Sequence, residues 1–329
     1  MATTTEGPAA PSRRRRSPYR SPGDRRARGR RGGLRRHAGA YAFISPFFLV
    51  FGLFGLFPLL YTLWVSLNDW HLVNGRQGFV GLDNFRDLLA DPDFTNALFN
   101  TLSIFVLSTV PQLLLALGIA YLLDTRLRGS TFWRSAVLIP NIVSVVAVGL
   151  VFSQLFGRDF GVVNWLLDTV GLAGDEPIDW RADTFTSHLA LSTMVMWRWT
   201  GYNALIYLAA MQAVPRDLYE SALLDGASRW RVFRSITVPS IRPTIVFTVI
   251  ISTIGGLQLF TEPLLFGGIN GYEGGSDHQF QTLTLLLYKH GFANFDSGYA
   301  AAISWMLFLL IAVIAALNFF LTRRISAKD

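Results

Sequence analysis

Apolar residues in this chain do not alternate with polar ones. They gather in six long blocks, at about residues 41–67, 99–123, 132–156, 189–211, 245–266 and 299–321. A bilayer core is about 30 Å thick and a helix rises 1.5 Å per residue, so roughly 20 mostly apolar residues are needed to cross it. Each block meets that length. Lipid offers the backbone no hydrogen-bond partners, so each block must satisfy its own amides, which predicts helices and excludes a barrel of alternating strands. Pro46, Pro58, Pro111 and Pro140 fall inside blocks. Neighbouring groups in a bundle can satisfy the carbonyls they free, so they predict kinks and not helix ends. The expected fold class is all-α, a polytopic membrane bundle of six transmembrane helices.

Composition agrees. Of 329 residues, 51% are hydrophobic and only 16% charged, an unusual balance for a soluble chain of this size. Charge then orients the bundle. The segments 68–98, 157–187 and 267–298 hold 14 acids against 5 bases, whereas the two tails and the remaining loops hold 22 bases against 7 acids. Basic loops stay in the cytoplasm, so both termini are expected on the cytoplasmic side of the membrane. The expected division is a basic, disordered cytoplasmic tail at 1–37, a six-helix transmembrane domain at 38–325 and a short cytoplasmic tail at 326–329.

The first tail carries 12 arginines against Glu6 and Asp24. It suits a topology determinant or a contact with anionic lipid better than a nucleic-acid arm, since only Tyr19 interleaves the arginines as an aromatic. No nucleic-acid partner is expected. The apolar run that follows is too long for a signal peptide's core and has no small-residue cleavage site behind it. With no cysteine and five histidines out of ligand spacing, no metal site is expected.

The loop at 213–242 interrupts the apolar blocks with a different pattern. Pro215 suits a first helical position, Asp217 and Glu220 lie early where the macrodipole favours acids, and Gly226 can break the run. Trp230, Phe233 and Ile236, spaced by three, then give a second helix an apolar stripe, with Arg229, Arg231 and Arg234 elsewhere and Pro239 and Pro243 closing it. Periodicity alone fits equally an inner-leaflet interfacial hairpin and a docking surface.

The order of residues decides between them. Glu220, Ala222, Asp225-Gly226-Ala227, Ile236 and Pro239 resemble the cytoplasmic signature of ATP-binding-cassette importer permeases, with Ser221 and Val238 as small departures. Val80-Gly-Leu-Asp-Asn-Phe85, Asn100-Thr101, Arg134, Ile139-Pro140 and the run from Tyr207 to Glu220 resemble the carbohydrate-importing branch, specifically the first of its paired permeases. The resemblance implies a cytoplasmic coupling-helix hairpin and a heteromeric machine: a second homologous permease, two ATPase subunits and an extracytoplasmic sugar-binding protein that delivers the substrate. It marks Glu220, Ala222, Asp225, Gly226, Ala227, Ile236 and Pro239 as ATPase-docking residues. Glu220 could fix the hairpin by accepting hydrogen bonds, and Gly226 could serve a bend or a close approach.

The chain itself is not expected to be an enzyme. A phosphate-cradling loop needs a lysine before Ser or Thr, and Lys289 and Lys328 are followed by His290 and Asp329. ATP and Mg are therefore expected on the partner ATPase, with no cofactor here.

Arg134, Arg198 and Glu262 are the ionisable groups within the blocks, and such groups are costly and usually functional. Arg134 lies at an inner edge and can snorkel. Arg198 lies about 14 Å into its block, near the midplane. Beside it Trp199, Tyr202 and Asn203 share one helical face, and aromatic faces with hydrogen-bonding groups suit a sugar. The resemblance places a related permease's sugar site at these positions. Gln258, Thr261 and Glu262 form a second polar patch. Rise arithmetic sets Glu262 about 10 Å nearer the outside than Arg198, lining the entrance and not pairing with it. The glycine-rich stretch 267–275 suggests a flexible outer loop. Packing of the tryptophans against lipid or a partner permease, with Arg198 making a structural hydrogen bond, is the competing assignment. An ion-coupled secondary transporter and a membrane receptor or scaffold are the rival functions. The expected substrate is a sugar, an oligosaccharide such as a di- or trisaccharide.

Overall fold

A computed structural model describes residue 3 and residues 33–125, 128–172, 174 and 176–326, with the side chains of 33–40 and 321–326 excepted. Most of the expected 1–37 tail and the last three residues lie outside that range. The chain divides into two compact units, one ending at Leu59 and one beginning at Leu60.

The first unit holds α1 (Gly33–Phe51), which starts inside the segment expected as a tail, then a π-turn at Gly52–Leu56 and the start of α2 (Phe57–Ser66). Pro46 interrupts nothing. Pro58 follows the π-turn: a proline lacks the N–H that Phe54 would bond, and a widened turn re-pairs the backbone around it. From Tyr41 to Leu59 every residue but Gly52 is exposed, including Phe43, Phe47 and Phe54. The run Tyr41–Ser66 is long and apolar enough to cross a bilayer.

The second unit opens with the hairpin of β1 (Asn68–His71) and β2 (Gly75–Phe79) and the short helix α3 (Asp83–Ala90). Asn84 explains the Val80–Phe85 motif, since its Nδ2 donates to the carbonyls of Ser66 at 2.8 Å and Asn68 at 3.1 Å. The motif's asparagine thus ties α3 to the end of α2.

The long helices follow. α4 (Pro92–Asp124) begins on Asp91, whose carboxylate accepts from the Asp93 amide at 2.8 Å. Pro111 lies within α4 without ending it. α5 (Ser130–Ile142) and α6 (Val145–Leu155) are the two halves of the third apolar block, bent by 88° between them. The block expected as one kinked helix is therefore two helices, parted shortly after Pro140. α7 (Val162–Thr169) precedes α8 (Thr184–Gln212), which is capped by Asp183 and packs along α4.

Beyond α8 lie α9 (Arg216–Leu224), α10 (Arg229–Val232), a π-turn at Phe233–Thr237 and α11 (Val238–Ser240). The fifth block is α12 (Arg242–Leu257) and α13 (Thr261–Gly267), parted at Gln258–Phe260. α14 (Leu283–Tyr288) and α15 (Ser297–Ser326) complete the chain.

Among the described residues four segments are long and apolar enough to cross a membrane, and a fifth if the α5–α6 pair is one span. The expected sixth is α8. Its 29 residues reach about 43 Å, but it carries His188, Ser192, Arg198, Thr200 and Asn203. Length suits a span, and composition reflects burial: all of these but Arg198 are buried, packed among neighbouring helices and not against lipid. The core follows α4 and α8, with Ile104, Leu191, Met194 and Val195 at one end and Ala116, Ala120, Ala204, Tyr207 and Met211 at the other.

Candidate functional site

A cavity of about 360 Å³ lies between α4, α8 and the broken pair α12–α13. α8 contributes Val195, Trp199, Tyr202 and Asn203, and α12 through α13 contributes Gln258, Thr261 and Glu262. The Trp199 and Tyr202 rings meet edge to face at 6.0 Å between centroids, which places two aromatic faces in one wall. Trp197, on another side of α8, packs 5.5 Å from the Phe152 ring and takes no part in the lining.

Six of the seven residues singled out from sequence line this cavity, and the seventh, Arg198, stands behind it. Its guanidinium is ion-paired with Oε1 of Glu262, and the two side chains are 12% and 7% exposed. This corrects the expectation that the two groups lie apart. A helical side chain leans toward the helix N-terminus, so Arg198 reaches back along α8 toward Glu262. Gln258–Phe260 also interrupts the fifth block, so counting rise along one straight helix misplaces Glu262.

Two further lining residues, Thr109 and Gln112, lie on α4, in a block with no charged residue to mark them. Gln112 is 2% exposed, and its Nε2 has no hydrogen-bond partner among the described residues. A buried glutamine directly after Pro111 in an apolar block was the available signal.

The loop at 267–275 is not the flexible tether its glycines suggested. Residues Gly268–Glu273 form a 3-10 turn, and a side chain at Gly271 would overlap the Leu264 carbonyl, so the glycine serves a close backbone approach. His278 has a φ of 57°, and its carbonyl accepts from Asn96 at 2.9 Å and Asn100 at 2.8 Å. Asn100 also reaches the Gln281 carbonyl at 3.1 Å, and Thr101 Oγ1 accepts from the Leu283 amide at 2.9 Å. The Asn-Thr pair noted in sequence therefore fastens this loop to α4. His188 is structural too, with its ring nitrogens 2.9 Å from Ser103 Oγ and 3.0 Å from the Gln279 carbonyl.

At the other end of α8, residues 213–242 fold as a helical hairpin. Gly226, at a φ of 76°, donates to the Leu223 carbonyl at 3.1 Å, and Ala227 donates to Ala222 at 3.0 Å. This pair of bonds, across a left-handed residue, is the Schellman cap. Asp225 is the last residue before that turn, and Ser228 then caps α10 by accepting from the Arg231 amide at 3.3 Å. Ala222, Asp225, Gly226 and Ala227 are thus one turn read in sequence. A Cβ on Gly226 would meet nothing within 4 Å, so its reason is the backbone angle and not close approach.

Glu220 is exposed and accepts no hydrogen bond from the described residues; it lines a hollow with Asp124 and Arg216. The expected bracing of the hairpin falls instead to Tyr219, whose hydroxyl lies 3.3 Å from that of Thr237. The stripe also shifts: Val232, Phe233 and Thr237 are buried, Ile236 is half-buried, and Trp230 and Pro239 are exposed. The π-turn before Pro239 moves the register, and Phe233 packs 4.7 Å from the Tyr121 ring of α4. Leu218, Leu223, Leu224 and Trp230 are left as an exposed apolar patch.

A polytopic helix bundle with a broken span, a polar and aromatic cavity and an exposed amphipathic hairpin defines a membrane permease. The family model for the binding-protein-dependent transport system inner membrane component matches residues 94–327, and this chain belongs to that family. It is 37% identical over 285 residues to the lactose transport system permease protein LacF of Rhizobium radiobacter, covering 86% of this chain and 93% of the relative. It is 33% identical to the arabinooligosaccharides transport system permease protein AraP of Halalkalibacterium halodurans, covering 88% and 89%. It is 30% identical to the diacetylchitobiose uptake system permease protein NgcF of Streptomyces coelicolor, covering 86% and 81%. The fold is shared with a chain of a bacterial importer of the acidic polysaccharide alginate, at a TM-score of 0.73 and 24% identity, over 89% of this chain and 97% of that one.

Proposed function

We propose that this chain is the permease subunit of an ATP-driven importer that takes up an oligosaccharide handed over by an extracytoplasmic sugar-binding protein. The observation that carries the reading is the cavity: two aromatic faces beside Asn203, Gln258, Thr261 and Gln112 offer apolar surface and hydrogen bonds together, which a sugar ring needs. Relatives named for lactose, arabinooligosaccharides and diacetylchitobiose support the substrate class. A second permease completes the pathway, two ATPase subunits bind ATP and Mg, and no cofactor belongs to this chain. The exposed leucines, Trp230 and Glu220 of the hairpin face the ATPase, with both termini on that cytoplasmic side.

The rival secondary transporter needs an acid free to load and release an ion. Glu262 is engaged by Arg198, which argues against that role. Copurification separates the classes, because an importer permease brings down an ATPase and a second permease. For the cavity, Trp199→Ala and Tyr202→Ala should each lower sugar uptake about tenfold, the equivalent of one lost stacking contact. Unchanged apparent affinity and rate at equal expression would remove the cavity from the pathway.

A further inference from the structure

The charge pattern of the cavity says which sugars fit, granted the sugar-import reading above. Among the described residues that line it, Glu262 carries the only full charge. The countercharge is held outside the lining: Arg198 pairs with Oε1 of Glu262, and its guanidinium carbon lies 5.6 Å from the Trp199 ring centroid. The pair is neutral as a whole but turns its acidic member toward the cavity. From α4, Gln112 brings a buried amide nitrogen with no acceptor among the described residues. Leaving such a donor unmade is costly, and a ligand oxygen that accepts from it removes the cost.

We infer that the cavity selects neutral saccharides against uronates, with Glu262 as a specificity-determining residue and Gln112 as donor to a sugar hydroxyl. A hydroxyl can donate to the Glu262 carboxylate and accept from the Gln112 amide, whereas a uronate carboxylate only accepts. It also meets a like charge. Arg198 already has its carboxylate, so no unpaired lining cation offsets the repulsion.

Ligand binding to the assembled transporter in nanodiscs, followed by saturation-transfer-difference NMR, tests the inference. The probes are lactose, maltose and cellobiose, each paired with the derivative in which the non-reducing hydroxymethyl group is oxidised to a carboxylate. A neutral disaccharide should bind, and its uronate should bind about tenfold more weakly or worse. Glu262→Gln, which leaves the Arg198 charge behind the lining without its carboxylate, should shrink or invert that ratio. Should this variant fail to fold, the double variant Arg198→Gln/Glu262→Gln carries neither charge and should give a ratio below that of the unaltered protein. Gln112→Leu should weaken the neutral sugar without recovering the uronate. Equal binding of sugar and uronate by the unaltered protein, or a ratio untouched by both charge variants, overturns the selectivity and leaves the sugar site standing. Binding of none of the disaccharides overturns the sugar site, and this inference with it.

Discussion

Asn100 of α4 donates one amide hydrogen bond to the carbonyl of His278 and a second to that of Gln281, at 2.8 and 3.1 Å. His278 sits at a φ of 57°, an angle that a residue with a Cβ adopts at a cost. One buried side chain therefore holds a strained loop against the longest helix of the bundle.

Removing that clamp should be felt as stability. Asn100→Ala leaves two loop carbonyls without their buried donor, a loss of about 1–3 kcal/mol. We expect a lower melting temperature for the purified protein in detergent, read by intrinsic fluorescence. A variant as stable as the unaltered protein would mean that Asn96 alone secures the loop.

The Schellman cap makes a graded prediction. Asparagine tolerates the left-handed conformation better than alanine, and a β-branched residue tolerates it least. ATPase activity stimulated by substrate in the assembled transporter should fall in the order Gly226, Gly226→Asn, Gly226→Ala, Gly226→Val, with the alanine step costing about 1 kcal/mol of hairpin stability. Since a Cβ at Gly226 meets nothing, a loss that tracked side-chain volume and ignored backbone preference would contradict the geometry.

The Arg198–Glu262 pair should behave as a unit. Arg198→Met or Glu262→Met alone strands a buried charge, a penalty of about 3–5 kcal/mol, while the double substitution restores most of the lost stability. Thermal melts of the four proteins form the cycle. Additive losses would show that the two groups do not depend on each other.

The positions of the helices were largely legible in sequence, because spans are fixed by length and apolarity. Their interruptions were not. Pro46 and Pro111 lie inside helices that continue, yet Pro140 precedes an 88° bend and Pro58 and Pro239 each follow a π-turn, outcomes that depend on what neighbouring helices offer the freed carbonyls. On the cavity, the 3.6-residue period of α8 brings Trp199, Tyr202 and Asn203 together, since it runs unbroken. The same arithmetic fails for Glu262, whose helix is parted at Gln258–Phe260. Gln112 was missed because its block holds no charged residue, whereas Asn203 and Gln258 lie within five residues of Arg198 and Glu262. The hairpin's motif was visible as a pattern of residues, but its meaning as a backbone turn emerged only from the bonds of Gly226 and Ala227.

The two walls of the cavity differ in kind. α8 runs without a break from its Asp183 cap past Trp199 and Asn203 to Gln212, three residues short of the hairpin's first turn at Pro215. The facing wall changes segments at Gln258–Phe260, beside the residues that line the cavity. Under the docking proposed for the hairpin, a displacement entering there would be carried along α8, which has no joint to absorb it. In that proposal the wall parted at Gln258–Phe260 is the one with a joint, and it is there that the cavity would change volume.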